Sequence, residues 1–171
     1  MKKENISNEI SKVFDAVVNV LENTEENALN EIPFEGSWTI GQIADHIIIC
    51  SGTVHDSKTQ YPHRQYDEHV AEMKSIFLNM EQKSEAAPIV SPRKPPHCKQ
   101  ELIEKLKDNK AHLLLIIEER DLTQLSLDIE FPFIGYLTRY EWLNFIAVHT
   151  QRHLNQVNNV KKRLTANADI W

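Results

Sequence analysis

The chain has 171 residues, of which 41% are apolar and 26% are charged, and its formal net charge is −6. This balance predicts a single folded domain, spanning residues 1–171, and argues against wholesale disorder. The acidic charge argues against non-specific nucleic-acid binding, which depends on clustered Lys and Arg. The chain contains only four glycines, fewer than a β-rich fold with many tight turns usually needs.

The N-terminal sequence, the short apolar runs and the cysteine content indicate a soluble, cytoplasmic protein. The first ten residues, MKKENISNEI, lack the apolar stretch of a signal peptide. The longest apolar runs are far shorter than the roughly 20 residues that a membrane span needs. Cys50 and Cys98 lie far apart in unrelated contexts, so we expect no disulfide framework and a reducing compartment.

The first half of the chain predicts two long amphipathic helices. Residues 5–23 carry apolar side chains at intervals of three and four, which is typical of a core-facing helix. Residues 25–37 form a connection with room for a short helical turn. Thr39, followed three residues later by Gln42, is a capping-box pattern. It starts a second helix that is expected to end between residues 55 and 58.

The middle of the chain predicts a long crossover and a third long helix. Residues 67–80 show a shorter and weaker helical pattern. Residues 84–97 hold four of the seven prolines, so they are predicted to be an extended crossover. Residues 99–120 form the third long helix. Residues 121–137 are a connection with turn and extended character.

The fourth long helix carries an unusual pair of histidines. Thr138 and Glu141 form a second capping box, and the helix is expected to run to about residue 164. His149 and His153 are four residues apart, so they lie on the same helical face. That face is apolar and also contains Trp142, Phe145, Ile146, Val157 and Val160. Two imidazoles placed in this way can bind one metal ion.

Four long helices with one long crossover, between the second and third of them, predict an all-α four-helix bundle. Metal sites in such bundles are built from inward side chains of different helices. His46 lies on the apolar face of the second helix and is therefore the third ligand candidate. A shared metal would satisfy all three imidazoles, since unpaired buried polar groups cost about 1–3 kcal/mol each. The alternative is three hydrogen-bonded core histidines without a metal.

Two of these segments resemble signature regions of the DinB-like superfamily, which includes the YfiT-type metal-dependent hydrolases. They are SWTIGQIADH at residues 37–46 and HTQRHLNQ at residues 149–156. The proline-rich SPRKPPH at residues 91–97 is similar to the YfiT-like branch. The resemblance implies an up-down-down-up bundle with a divalent metal ion held by three histidines. The matching positions in this chain are His46, His149 and His153.

The same resemblance implies a metal-dependent enzyme. Members of the superfamily include thiol-dependent S-transferases and a thiol-dependent isomerase, so the expected partners are a small-molecule substrate and a low-molecular-weight thiol. Relatives are described as dimers, which suggests a homodimer. Three imidazoles leave coordination positions open for catalysis, and this ligand set suits Zn, Ni or Fe.

Two other interpretations remain open from the sequence. One is a non-enzymatic protein of the stress response that binds a metal or a small molecule, and the other is a metal-free bundle. The chain has no HExxH motif, no serine elbow and no glycine-rich phosphate loop. The sequence therefore indicates no dedicated general base, and the catalytic residues stay unknown.

Several further residues are weaker candidates. Gln156 is predicted either to orient a ligand or the metal-bound water, or to be a polar residue at the edge of the core. Cys50, one turn beyond His46, is favoured as a core thiol over a fourth ligand. For Asp45 and Glu141, the favoured interpretation is a solvated helix cap or a surface residue. The alternative is an acid that supports the metal ligands.

The remaining histidines have no diagnostic spacing. Three that follow the second helix are interpreted mainly as surface residues, with the mouth of a pocket or a second metal site as alternatives. They are His55, His63 and His69. His97 and His112 belong to no pattern that suggests a partner.

Overall fold

The described part of this computed structural model, residues 3–79 and 87–168, is predominantly helical. In chain order, the helices are α1 (Lys3–Glu22), α2 (Glu26–Leu29), α3 (Ile40–Cys50), α4 (Val70–Leu78), α5 (Lys99–Glu119) and α6 (Arg139–Ala168). Two short strands, β1 (Thr59–Gln60) and β2 (Leu125–Ser126), pair in an antiparallel manner. A 3-10 turn, Pro88–Val90, lies in the crossover between α4 and α5.

The long helices α1, α3, α5 and α6 form the predicted four-helix bundle. Helix α1 is antiparallel to α5, because Lys3 Nζ at its start donates to the carbonyl of Glu118 at the end of α5, 3.0 Å away. It is parallel to α6, because Lys161 Nζ near the end of α6 donates to the carbonyl of Asn23, just after α1, at 3.0 Å.

Helix α3 completes the bundle between α5 and α6. Asn109 Nδ2 on α5 donates to the carbonyl of Ile48 on α3 at 2.9 Å, and His97, just before α5, packs against Gly41 at the start of α3. Helices α3 and α5 are therefore parallel. The directions of the four helices confirm the up-down-down-up topology that the family resemblance implied.

Both predicted capping boxes are present. Thr39 Oγ1 accepts from the Gln42 amide, and the Gln42 side chain accepts from the Thr39 amide, each at 3.1 Å. Thr138 Oγ1 accepts from the Glu141 amide at 3.1 Å, and Glu141 Oε2 accepts from the Thr138 amide at 2.9 Å. These reciprocal bonds satisfy backbone donors at the starts of α3 and α6 and set where the two histidine-bearing helices begin.

Two helix ends differ from the prediction. Helix α3 ends at Cys50, because Ser51 caps it with a hydrogen bond from Oγ to the carbonyl of Ile47 at 2.6 Å. The expected continuation to residues 55–58 was wrong, since the hydroxyl competes with the helical backbone at this position. Helix α6 runs to Ala168, beyond the expected end near residue 164.

The crossover follows the prediction where the structure describes it. Helix α4 lies within the predicted weak helix, and the proline-rich segment after residue 87 contains only the 3-10 turn. Residue 80 and residues 84–86, which the two predictions also included, lie outside the described residues. Among the residues that the structure describes, no helix is both long and apolar enough to cross a membrane.

Candidate metal centre

Helices α3 and α6 bring the three predicted imidazoles together in the bundle interior. The ring centroids of His149 and His153 are 4.4 Å apart, and His46 lies 4.6 Å from His153 and 5.2 Å from His149. Each of the three residues is less than one-tenth exposed to solvent. Their positions follow from the i,i+4 spacing on α6 and from the antiparallel contact between the two helices.

The spacing of the ring nitrogens fits a shared metal ion. The Nε2 atoms of His149 and His153 are 3.1 Å apart. Two imidazole nitrogens at about 2.0–2.1 Å from one ion are about 2.9–3.4 Å apart when the angle between them is octahedral or tetrahedral. Donor atoms of His46, Cys50 and His149 also lie within 4.8 Å of one another. The donor set and its geometry are therefore compatible with a divalent metal.

Neighbouring acceptors fix the orientation of two of the rings. His46 Nδ1 is 2.7 Å from the carbonyl oxygen of Val90, and His153 Nδ1 is 2.9 Å from Gln156 Oε1. Because each acceptor requires the proton on Nδ1, each Nε2 keeps its lone pair for a ligand in the cluster. Gln156 thus makes the contact that is expected of a residue that orients a ligand. This was one of the two interpretations of Gln156 from the sequence.

We expect Gln156→Leu to weaken zinc binding by about 10- to 100-fold, since residues that orient a metal-bound imidazole typically contribute this much. The measurement is competition with a chromophoric chelator. Gln100→Leu, at an exposed glutamine of α5, is the matched control and should bind zinc as the unaltered protein does. Equal affinities of the two variants would show that the Gln156 contact does not support a ligand.

Burial keeps the cluster uncharged near neutral pH. Desolvation lowers the pKa of His149 well below its usual value and lowers the pKa of His153 to about 4. Desolvation also lowers the pKa of His46, against opposing effects of the Val90 hydrogen bond and Asp45. Neutral imidazole is the form that binds metals, so the three residues do not need to lose protons near pH 7.

The metal-free protein should lose stability as the pH falls from about 6.5 to about 4. In this window, unfolded histidine binds a proton whereas folded His153 does not, so the unfolded state gains protons and stability rises with pH. The contribution of His153 alone is on the order of 3 kcal/mol. Urea unfolding across this range measures the slope. A His153→Gln variant should show a shallower slope, and an unchanged slope would contradict the prediction.

Cys50 lies closer to the cluster than the sequence suggested. Its Sγ is 3.6 Å from Nε2 and 3.8 Å from Nδ1 of His46, and the residue is half-buried at the end of α3. The favoured interpretation of Cys50 as a core thiol stays a prediction. Desolvation raises the pKa of the Cys50 thiol to about 12, so without a metal this side chain is a neutral thiol and a weak nucleophile.

Asp45 and Glu141 are both buried, so the expectation of solvated or surface carboxylates was wrong. Asp45 is 2% exposed and accepts from Arg93 through Nη2 at 2.7 Å and through the backbone amide at 2.8 Å. This ion pair holds the crossover against α3. Arg93 lies three residues after Val90, whose carbonyl contacts His46. Asp45 thus supports the position of an acceptor for the cluster.

Glu141 is fully buried and does more than cap α6. It accepts from Nη1 and Nη2 of Arg64 at 2.7 Å each, and from the amide of His69 at 2.9 Å. These bonds tie the segment before α4 to the start of α6. The sequence could not reveal this role, because Arg64 is 77 residues away from its partner.

The other histidines lie outside the cluster. His55, His63 and His112 are exposed, and His69 is half-buried with its Nδ1 3.7 Å from Oε2 of Glu72. The surface interpretation therefore holds for His55 and His63 and only partly for His69. His97, by contrast, is buried against α3. A Cβ atom at Gly41 would lie 3.1 Å from His97. A glycine inside a predicted helix was the available signal for this close approach.

Partly exposed aromatic side chains surround the imidazoles. Trp38 lies 5.1 Å from His46 between ring centroids, while Phe145 and Phe77 lie 5.2 Å and 6.1 Å from His149. Phe131, on the loop after β2, packs on Phe145 at 5.0 Å. We call these four residues the aromatic wall. Phe77 and Phe131 were not candidates from the sequence, because only the tertiary fold brings their segments to α6.

The comparison with known families agrees with this architecture. Residues 9–157, which include all three clustered histidines, match the family model described as the DinB superfamily. The chain belongs to the DinB superfamily. Membership confirms the resemblance indicated by the segments at residues 37–46 and 149–156.

Two relatives extend the comparison. The chain is 23% identical over 154 residues to the uncharacterized protein YuaE of Bacillus subtilis (strain 168), with 85% of this chain and 91% of that protein covered. The crystal structure of TT2238, a four-helix bundle protein, matches with a TM-score of 0.57 and 17% identity. That match covers 92% of this chain and 99% of TT2238 and shows the fold alone.

Proposed function

We propose that this DinB superfamily protein binds one divalent metal ion through His46, His149 and His153 and uses it for chemistry on a small molecule. The observation that carries the proposal is the convergence of three buried imidazoles, with Nε2 of His149 3.1 Å from Nε2 of His153 and a ring nitrogen of His46 within 4.8 Å of one of His149. Val90 and Gln156 accept from Nδ1 of His46 and His153, which leaves the Nε2 lone pairs of these two rings for a shared ion. Three protein ligands also leave room for an exogenous one.

The reaction that this site supports best is transfer of a low-molecular-weight thiol to an electrophile. A bound Zn, Ni or Fe ion would supply a Lewis acid that lowers the pKa of a thiol or of water. In thiol transfer, the sulfur forms a bond to an electrophilic carbon, the leaving group departs with its electron pair, and the thiol proton passes to solvent. This reaction needs no separate general base. Metal-dependent hydrolysis is the variant in which water replaces the thiol.

The protein residues would contribute binding and orientation. Val90 and Gln156 hold two imidazoles in one tautomer, so the ligand geometry is set before substrate binds. The aromatic wall offers partly exposed apolar surface beside His46 and His149, which suits an electrophile with an apolar or planar body. We further propose that the protein works in the cytoplasm and that it forms a homodimer. Light scattering of the purified protein would test the homodimer.

The test is turnover by zinc-, nickel- or iron-loaded protein with 2-mercaptoethanol or cysteine and the chromogenic electrophile 1-chloro-2,4-dinitrobenzene. We expect conjugation above the uncatalysed rate that disappears on chelation and returns with metal. A parallel assay with an activated ester and no thiol measures hydrolysis. Background rates throughout a broad panel of thiols, electrophiles and esters would contradict an enzymatic function.

A second candidate is a non-enzymatic protein that binds a metal and a small molecule, as in a stress response. It is favoured by the aromatic rings of Trp38 and Phe145 beside the cluster and by the pairing of the nearby Asp45 carboxylate with Arg93, which leave no described carboxylate there as an obvious general base. Calorimetric titration of the metal-loaded protein with 2-mercaptoethanol discriminates the two functions. Binding without turnover would favour this second candidate.

A further inference from the structure

A tight hairpin after β2 presents an aromatic side chain to solvent. The amide of Phe131 donates to the carbonyl of Gly135 at 2.8 Å, and the amide of Gly135 donates to the carbonyl of Phe131 at 2.9 Å. Phe133, at the tip, is fully exposed and has a φ of 66°, a left-handed conformation that bulky residues rarely adopt. Ile129 and Tyr136, on either side of the hairpin, are also exposed. An exposed apolar tip on a strained backbone indicates a surface that becomes buried in an assembly.

A mainly apolar groove runs between α1, α4 and α6. Its volume is about 220 Å³, and each of the three helices contributes an apolar side chain to its lining: Val13, Leu78 and Val148. Pockets for drug-sized molecules usually measure about 300–1,000 Å³. The groove therefore suits one large side chain better than a whole substrate.

The hairpin and the groove lie on opposite sides of the contact between α4 and α6. On one side, Phe131 of the hairpin packs on Trp142 of α6, with the ring centroids 5.6 Å apart. On the other side, Gln151 of α6 lines the groove. Trp142 and Gln151 differ by nine positions, which is a helical rotation of about 180°. A two-fold axis parallel to α4 would therefore place the hairpin of each copy against the groove of the other.

We infer that two copies of this chain associate about such an axis, with Phe133 of each copy inserted into the groove of the other. The inference rests on the proposed function in one respect, because it gives the proposed homodimer an interface, and it needs no metal ion. The contact is isologous and so occurs twice per dimer. Stable interfaces bury about 1,200–2,000 Å², more than one side chain supplies. Ile76, exposed on α4, would lie near the axis and join the two contacts into one surface.

The charges at the two surfaces favour a second copy as the occupant of the groove. Residues 128–136, around the tip, include two carboxylates and no Lys or Arg, a net charge of −2. The groove is lined by two lysines and one glutamate, Lys12, Lys74 and Glu9, a net charge of +1. Glu9 is 3.3 Å from Lys74, whereas Lys12 is exposed. Lys12 is therefore the cation that we expect to pair with the exposed Glu130 of the other copy.

The first test is sedimentation equilibrium of the full chain at pH 7. Phe133→Asn should raise the dissociation constant of the dimer by at least about 100-fold, because the burial of two aromatic side chains per dimer is lost. Asparagine tolerates a left-handed backbone, so the hairpin itself should keep its conformation. Ile32→Asn, at an exposed apolar residue before α3, is the matched control and should leave the constant unchanged.

An exchange of charges tests which two surfaces meet. Lys12→Glu and Glu130→Lys should each weaken self-association about tenfold, because each places like charges at both contacts of the dimer. An equimolar mixture of the two variants should recover the affinity of the unaltered protein. In the mixed dimer, one contact pairs Lys12 with Glu130 as before, and the other pairs the two introduced charges.

The outcomes separate this interface from the rest of the proposed function. A chain that stays monomeric at every concentration measured would overturn the interface and the proposed homodimer together, and the metal centre would stand. A dimer that Phe133→Asn leaves intact would overturn the interface alone. A mixture of the two charge variants that associates no more tightly than either variant by itself would show that Lys12 and Glu130 do not meet and would also overturn it.

Discussion

Replacing His149 with alanine is expected to weaken zinc binding by more than about 100-fold. Loss of a residue that merely orients a ligand costs about 10- to 100-fold, and the loss of one of three imidazole ligands should cost more. The same change should reduce metal-dependent turnover to the background rate. Zinc content after dialysis and competition with a chelator measure the first effect, and the conjugation assay measures the second.

Two controls separate ligand loss from general damage. His55→Ala removes an exposed histidine outside the cluster and should leave affinity and turnover unchanged. His149→Gln is closer in size to histidine, so it limits the cavity that alanine would leave among Phe145 and Phe77. One equivalent of tightly bound zinc in both His149 variants would contradict the assignment of the centre.

The second large effect is expected at a residue that does not belong to the metal centre. Glu141→Gln should lower the free energy of unfolding by about 3–5 kcal/mol, because it leaves the guanidinium of Arg64 without its bidentate partner. The amide can still accept from Thr138, so the change tests the ion pair more than the helix cap. Urea unfolding at pH 7 is the measurement.

The matched control is Glu119→Gln, at an exposed glutamate at the end of α5, which should change the unfolding free energy by less than about 0.5 kcal/mol. A similarly small effect at Glu141 would show that the Arg64 pair contributes little. The site should also respond to Glu141→Gln, since the residue ties the segment before α4, the helix that carries Phe77, to α6. Weaker thiol or electrophile binding in the folded variant would report this effect.

The sequence predicted the helices well because their signals are local. The apolar stripes and the two capping boxes involve residues three or four positions apart, and a helix places such residues in contact wherever it lies. The same locality placed His149 and His153 on one face. The end of α3 was predicted less well, since the Ser51 hydroxyl competes with the backbone in a way that apolar periodicity does not register.

The candidate centre could be predicted in part. His46, His149 and His153 were identified from their apolar faces and from the resemblance to the superfamily, and the fold brings the three rings together. The environment of the rings could not be predicted. The aromatic wall draws on segments far apart in the chain, and no local pattern links Phe77 or Phe131 to α6.

The sequence by itself therefore determined which segments are helical and that three histidines lie on the apolar faces of two of them. Both results depend only on periodicity within one helix. Only the tertiary structure decided how those histidines are held and what stands beside them. The Val90 carbonyl contacts His46 from 44 positions away in the chain, the Asp45–Arg93 pair holds that crossover against α3, and the Cys50 sulfur lies 3.6 Å from Nε2 of His46. Such contacts depend on how the crossover and helices pack, which short-range spacing does not specify.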